Sequence, residues 1–439
     1  MYGEFPELKA AVQWFISLMP EGDWSARRLA TAKWYYETLI NQSGDPSGKG
    51  RFYNERDLIG WYLFLGEAFT DHPWNYELIF GCHVVPILAA IGRNLDLLKS
   101  VAGFTERCRR IVLGERSQPN GGLFEILVAA AYTRQGWTVA FQPEQPGRVK
   151  THDLNISKGK NKYAVECKRM EGGEYVEQER ARMRVLWRQP CMFLVGQEIS
   201  ALLDVRFKVE LKNVPDSYLL KKAQDFVYYR NERFAWDDGV SVGCLSRLDL
   251  QPIQTVLATD YIPHPSSRFN ELLTGSYRRY DSGIMVMRLK FGPSPHLVDQ
   301  LDLAVAARYE SLSEAAIDRK ARDILAKLSE ANAQLPEDLP GIVHIGFEAL
   351  SGDEVEQRRY EKILQRIRGF DRQHSALEYV YCHYFAPEPP PDETWAIDET
   401  CQWHAVRPSP QPLAGGLLVV PSTAGESRKG VHWDGKNLR

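Results

Sequence analysis

"YAVECKRM", residues 163–170, reads as the middle of a buried strand, yet it carries Glu166 and Lys168 two positions apart. Side chains alternate faces along an extended strand. Ala164, Glu166, Lys168 and Met170 therefore share one side, and Tyr163, Val165 and Cys167 share the other. An acid beside an amine in so apolar a strand is either a structural ion pair or part of a metal-dependent site. An isolated pair at this spacing is more often the former, so the flanking sequence has to decide.

Upstream, "PNGGLFEILVAAAYTRQGW" (119–137) predicts a helix opened by a Pro-Asn-Gly-Gly turn and closed near Gly136. Its centre is apolar all round, which marks a buried helix, and Glu125 inside it needs a partner or a task. "WTVAFQPE" (137–144) and "HDLNIS" (152–157) predict short strands, with "KGKNK" (158–162) as the turn into the opening motif. Period-2 alternation turns Leu154 and Ile156 to the core and Asp153 away from it. A charged helix over "EYVEQERARMRVLWRQ" (174–189) follows. The order is helix Glu, strand, strand Asp, turn, strand Glu-x-Lys, helix. Hard cations such as Mg²⁺ take carboxylate oxygens. Two carboxylates from adjacent strands, with a strand carbonyl such as that of Cys167, suit such an ion facing a phosphodiester. Lys168 beside them suits orienting a water and offsetting negative charge.

Glu125 on its helix, Asp153, and Glu166-Cys167-Lys168 resemble the PD-(D/E)XK nuclease superfamily, over about residues 120–170. The resemblance implies a restriction-endonuclease-like αβββαβ core. It implies Asp153 and Glu166 as ligands of Mg²⁺ or Mn²⁺, Lys168 as the catalytic lysine and Glu125 as an auxiliary ligand. His152 stands where the family's Pro precedes the Asp. The implied activity is metal-dependent hydrolysis of phosphodiester bonds, in DNA ahead of RNA. Restriction, repair or anti-phage defence follows by analogy of fold alone. The alternative is a catalytically inactive nucleic-acid-binding protein on the same fold, and a third reading is a structural subunit with a merely buried Glu166–Lys168 pair.

The remaining chain sets the organisation. Residues 1–100 predict a helical domain from "ELKAAVQWFISLM" (7–19) and "WSARRLATAKWYYETLI" (24–40). "GKG" (48–50) between helices fails as a phosphate loop, because the glycine spacing, the following Ser or Thr and the preceding strand are all missing. "YELIFGCHVVPILAAIG" (76–92), broken by Glu77, His83 and Pro86, predicts a core helix rather than a membrane span. The core is expected over 101–350 with a mixed α/β insertion at about 172–297, whose strands fall at 204–211, 239–245 and 283–291 and whose helix falls at 216–226. Residues 298–333 read as a long helical stretch. The helix ending at "QLP" (334–336) and the strand "GIVHIGFEAL" (341–350) then complete the core, in preference to the 174–189 helix with "CMFLVG" (191–196) as the strand. On that reading Lys320, Lys327 or Gln334 approaches the phosphate, although a solvated helix face suits each. Residues 351–439 predict a C-terminal α/β extension with a helix at 353–367, a strand at 377–385, a Pro-rich linker at 386–393 and a tail at 422–439.

Composition agrees with this picture. Hydrophobic content of 44% and charged content of 25% belong to an ordinary globular chain. The net charge of −3 excludes a polyelectrolyte binder, but residues 101–200 hold 16 Lys and Arg against 11 Asp and Glu, a net of +5. A mildly basic face there suits a phosphate backbone. Seven scattered cysteines without a C-x-x-C argue for a reducing compartment, and cytoplasmic localisation without membrane association is expected. Cys382, His383, Cys401 and His404 offer soft ligands at the wrong spacing for tetrahedral zinc. Arg107, Arg109, Arg110 and Arg116 suit phosphate contacts or a solvated helix face equally. Most of Trp14, Trp24, Trp34, Tyr35, Tyr36 and Trp61 read as core, with a second copy, a partner protein or single-stranded bases as the candidate occupants of any aromatic surface left on the helical domain.

Overall fold

The computed structural model describes residues 5–42, 52–143, 151–170, 172–279, 283–322, 324–370, 375–407, 418–420 and 429–434. The 48–50 segment and most of the 422–439 tail lie outside the described residues. Two six-stranded sheets and a helical N-terminal part make a mixed α/β architecture.

Apolar residues at helical spacing place Leu8, Val12 and Phe15 of helix Pro6–Ser17 against Trp61, Leu65, Val85 and Leu88 of helices Leu58–Asp71 and Leu78–Arg93. Gly92 lets two of these helices touch backbone to backbone; a Cβ there would sit 1.7 Å from the Glu7 carbonyl oxygen. Helix Phe104–Leu113 then leads to helix Asn120–Arg134, whose residues Gly122 to Tyr132 are all buried. Gly136, at φ +77°, ends it.

Strands β1 (Thr138–Phe141), β2 (Leu154–Lys158) and β3 (Asn161–Met170) form an antiparallel meander. A two-residue turn with Gly159 at φ +61° sets the register Leu154↔Val165. The chain then leaves this sheet through helix Glu174–Gly196 and builds a second one. Its strands are β4 (Ala201–Phe207), β5 (Arg233–Asp237), β6 (Ser241–Arg247), β7 (Ile262–Pro263), β8 (Gly283–Phe291) and β9 (Leu297–Ser311). They run in the order β5-β6-β4-β9-β7, with β8 also on β9. Helix Leu325–Asn332 returns the chain to the first sheet, where β10 (Gly341–Glu348) pairs parallel to β3. Helix Asp353–Arg368, β11 (Leu377–Glu388) and β12 (Ala396–Ala405) complete the order β1-β2-β3-β10-β11-β12.

Two expectations are corrected, and one alternative passed over above is excluded. Residues 298–333 are not one helical stretch: β9 takes 297–311, and two short helices, Glu314–Lys320 and Leu325–Asn332, follow. From Leu303 to Ala307 every residue of β9 is buried, because this central strand is covered on both faces, so the alternation that identifies a strand is absent. "CMFLVG" belongs to helix Glu174–Gly196 rather than to a strand. Residues 386–393 are not a linker, since β11 runs on to Glu388 and the remainder turns into β12, a partly exposed edge strand.

Candidate active site

The two faces of β3 are separated by what packs on them. Val165 and Cys167 join the core built on helix Asn120–Arg134, whereas Ala164 and Met170 join Ile324, Leu328 and Ala331 of the opposite layer. Glu166 and Lys168 therefore look toward helix Leu325–Asn332, and Cys167 looks the other way.

Asp153 stands one step past the β2–β3 register, across from Glu166. Its amide donates to the Val165 carbonyl at 3.0 Å, and its Oδ2 accepts the Cys167 N–H at 2.8 Å. Lys168 Nζ lies 2.7 Å from Glu166 Oε1 and 3.4 Å from Glu330 Oε1, while Lys327 holds Glu330 at 2.9 Å. Gln334, with its amide turned to satisfy both neighbours, donates to Glu166 Oε1 at 3.1 Å and accepts from Lys168 Nζ at 2.9 Å. Glu166 is 1% exposed, and its second oxygen, Oε2, meets no donor among the described residues.

Burial raises the Asp153 carboxyl well above the usual range, and the charges of Glu125 and Glu166 add to it; the Cys167 N–H pulls the other way. Burial likewise pushes Glu166 up to about 7, only partly opposed by Lys168. Lys168 is raised: burial alone would lower it, but Glu166, Glu330 and Asp153 together outweigh that. The Cys167 thiol is driven up by burial and by Asp153, Glu125 and Glu166. Carboxylates this close, in so dry a place, resist ionising together.

Glu125 sits apart from this network. Arg107 grips it with two hydrogen bonds, Nε to Oε2 at 2.5 Å and Nη2 to Oε1 at 2.8 Å, and gives a third to Glu115 at 2.9 Å. Its charge reaches Asp153, but both of its oxygens are taken. The neighbouring arginines are occupied as well: Arg109 by Glu106, Arg110 by Glu115 and Arg116 by Asp23. Of the downstream residues, Gln334 reaches the Glu166–Lys168 pair, Lys327 reaches it through Glu330, and Lys320 is held by Glu179 at 2.5 Å. Glu330 escaped the sequence reading; its i,i+4 spacing from Gln334 was the available signal.

A second buried polar chain also went unread. Tyr132 Oη lies 2.8 Å from His344 Nε2, His344 Nδ1 lies 3.0 Å from His383 Nε2, and His383 Nδ1 lies 2.9 Å from Glu399 Oε1. Cys401 Sγ is 4.0 Å from His383, but Cys382 points into the opposite core layer. Among the described residues, no three of His, Cys, Asp and Glu form a group able to hold a metal ion. No described helix is long and apolar enough to cross a membrane. No family model matches the chain, and no curated protein or solved structure matches it.

A hard cation can nevertheless be tested against the donors present. Asp153 and Glu166 supply anionic oxygens on one face, and Glu166 Oε2 is a buried acceptor with nothing to accept. Because the Cys167 amide leaves β3 on the β2 side, its carbonyl does too, just beyond Leu154, the first residue of β2. Two carboxylates and a carbonyl fit Mg²⁺ or Mn²⁺, which keep waters in their remaining positions. Glu125 does not fit as a ligand while Arg107 holds it.

Proposed function

We propose that this chain is a metal-dependent nuclease of the PD-(D/E)XK type, hydrolysing phosphodiester bonds of DNA. The observation that carries the reading is Asp153 facing Glu166 across the end of the β2–β3 pair, with an unpartnered Glu166 oxygen and Lys168 bonded alongside. The helix–strand–strand–strand order, resumed by helix Leu325–Asn332 and the parallel β10, supports it. Asp153, Glu166 and the Cys167 carbonyl would hold Mg²⁺ or Mn²⁺, which supplies Lewis acidity and lowers the pKa of water. Lys168 orients the attacking water and offsets charge growing on the phosphoryl oxygens. Gln334 fixes the Lys168 ammonium between itself and Glu166. Glu125 contributes its field rather than a bond.

The test is incubation with plasmid, linear and single-stranded DNA and with RNA, in Mg²⁺, Mn²⁺ or EDTA. Cleavage of DNA that EDTA abolishes is the expected result. A second reading, an inactive nucleic-acid-binding scaffold, draws on the Arg107 grip that takes Glu125 out of the site. Salt-dependent DNA binding in EDTA, with no cleavage in either metal, would favour it.

A further inference from the structure

On the opposite face of β3 from Lys168, four polar side chains meet at the carboxyl ends of β3 and β10. Arg169 is nine-tenths buried. Its guanidinium lies 4.8 Å over the Phe385 ring and gives Nη2 to Glu348 Oε1 at 3.0 Å, while its Nη1 finds no acceptor among the described residues. His83, from helix Leu78–Arg93, brings Nδ1 to within 3.7 Å of the same Glu348 oxygen. Tyr62, from helix Leu58–Asp71, feels both the Glu348 and the Arg169 charges and donates its hydroxyl to Asn120 Oδ1 at 2.9 Å. Asn120 is the first residue of the 15-residue helix Asn120–Arg134, whose start has no side-chain cap. A Cβ on Gly121 would meet nothing within 4 Å, so that helix start faces open space.

The recess is open to solvent, because the side chains of His83 and Glu348 keep 27% and 31% exposure. Burial alone would lower the His83 pKa, but Cys82 and Glu348 lift it to about 10. Burial would raise Glu348, yet His83 and Arg169 hold it at about 2. His83 and Arg169 thus converge on Glu348, with Glu77 also in the field of His83, beside the positive end of a helix and a buried guanidinium nitrogen without an acceptor among the described residues. A buried donor without an acceptor calls for a partner.

We infer that this recess is a binding site for a phosphate group, held by His83 and Arg169 with the Tyr62 hydroxyl and the start of helix Asn120–Arg134, and that Glu348 is the resident anion it competes with. Crevices outside the carboxyl ends of parallel strands are where α/β sheets commonly take ligands, and uncapped helix starts favour phosphate oxygens. The inference does not rest on the nuclease reading, since nothing in this recess belongs to the Asp153–Glu166–Lys168 network.

The test uses the full chain in EDTA, so that no cleavage intervenes. Thermal melts compare inorganic phosphate with chloride at matched ionic strength. Fluorescence anisotropy compares single-stranded oligonucleotides with and without a 5′-phosphate. Wild type should melt higher in phosphate, His83→Gln should lose that shift, and Glu348→Gln should enlarge it by removing the competing carboxylate. If the natural source is instead a nucleic-acid phosphate, free phosphate shifts little, but oligonucleotide affinity falls about tenfold in His83→Gln and rises in Glu348→Gln; the 5′-phosphate arm then separates a terminal from an internal group. Both variants sit at the half-exposed rim and are chosen to leave the buried Arg169 in place. A purely structural triad would be destabilised by both changes with no difference between phosphate and chloride. That result, or a shift unchanged in His83→Gln, overturns the site.

Discussion

Lys168 donates toward Glu166, Glu330 and Gln334 at once, so its ammonium is held in place before any substrate arrives. Lys168→Ala should keep the fold and metal binding but lose cleavage by about 10²–10³-fold, the usual cost of removing a group that stabilises charge in the transition state. Cleavage within tenfold of wild type would remove it from the mechanism. Gln334→Ala should lower activity less, because Glu166 and Glu330 still hold the amine, whereas a variant that leaves cleavage untouched would show that the amide only fills space. The faces of β3 were legible at this scale, since alternation alone separated Glu166 and Lys168 from Cys167. The engagement of Glu125 was not. Arg107 lies 18 residues upstream on another helix, and no spacing rule links side chains of two helices before their packing is known. For the same reason, a buried carboxylate read as needing a partner or a task was assigned the task.

At the scale of elements, β3 tolerates change on one face and not on the other. Cys167 packs among Val165, Leu154 and Ile126, so Cys167→Val should cost under about 1.5 kcal/mol and leave metal binding intact. Loss of metal binding in that variant would mean that the faces are reversed. The chain Tyr132–His344–His383–Glu399 ties helix Asn120–Arg134, β10, β11 and β12 together, and its tautomers follow from its ends. Glu399 accepts only, so His383 carries its proton on Nδ1, His344 donates Nδ1–H to His383, and the Tyr132 hydroxyl donates to His344 Nε2. Glu399 also accepts the amides of Val419 and Val420. Glu399→Ala should therefore cost about 3 kcal/mol or more, and Tyr132→Phe about 1–3 kcal/mol for the acceptor left unpaired on His344; equal stability of wild type and Glu399→Ala in urea unfolding would show the chain to be incidental. None of it was legible in advance, because the partners come from elements whose order in the sheet is a tertiary fact. The strand β9 was hidden for a different reason. An alanine-rich strand buried on both faces has the composition of a helix and no alternation to betray it.

For the whole molecule, the sequence reading set a helical N-terminal part and an α/β insertion between the Glu-x-Lys strand and "GIVHIGFE"; it did not show that the inserted strands form a sheet of their own that takes in 297–311, or that β3 and β10 are direct neighbours. β3 and β10 are adjacent in space and about 170 residues apart in the chain, and only the apolar strength of "GIVHIGFE" hinted at it. That arrangement puts Asp153 and Glu166 at the end of a rigid sheet, and their mutual repulsion then becomes a property of global stability. Glu166 has its pKa raised from 4.5 to about 7 in the fold. Between those values the native state binds a proton that the unfolded chain has released. Its contribution is therefore full below about pH 4.5 and is lost as pH rises through about 7, on the order of 1–3 kcal/mol. Other groups move oppositely, His264, His296, His404 and His432 among them, each held near 4 by burial. The informative quantity is consequently a difference between variants. Metal-free wild type should lose more melting temperature from pH 5 to pH 7.5 than Glu166→Gln loses, because the amide has no proton to release. Mn²⁺ should reverse the sign for the wild type: a cation needs both carboxylates ionised, so its stabilisation should be larger at pH 7.5 than at pH 5. Asp153→Asn should abolish the metal shift at both pH values and raise the metal-free melting temperature at pH 7.5 by removing a like charge. If Glu166 and Lys168 formed only an ion pair, Mn²⁺ would shift nothing, Asp153→Asn would be neutral, and Glu166→Gln would destabilise by about 1–3 kcal/mol through the lost pair, Lys168 keeping Glu330 and Gln334. Melts of these three proteins at two pH values, with and without Mn²⁺, separate the two cases by sign, and a wild type indifferent to Mn²⁺ at pH 7.5 would end the metal-site reading.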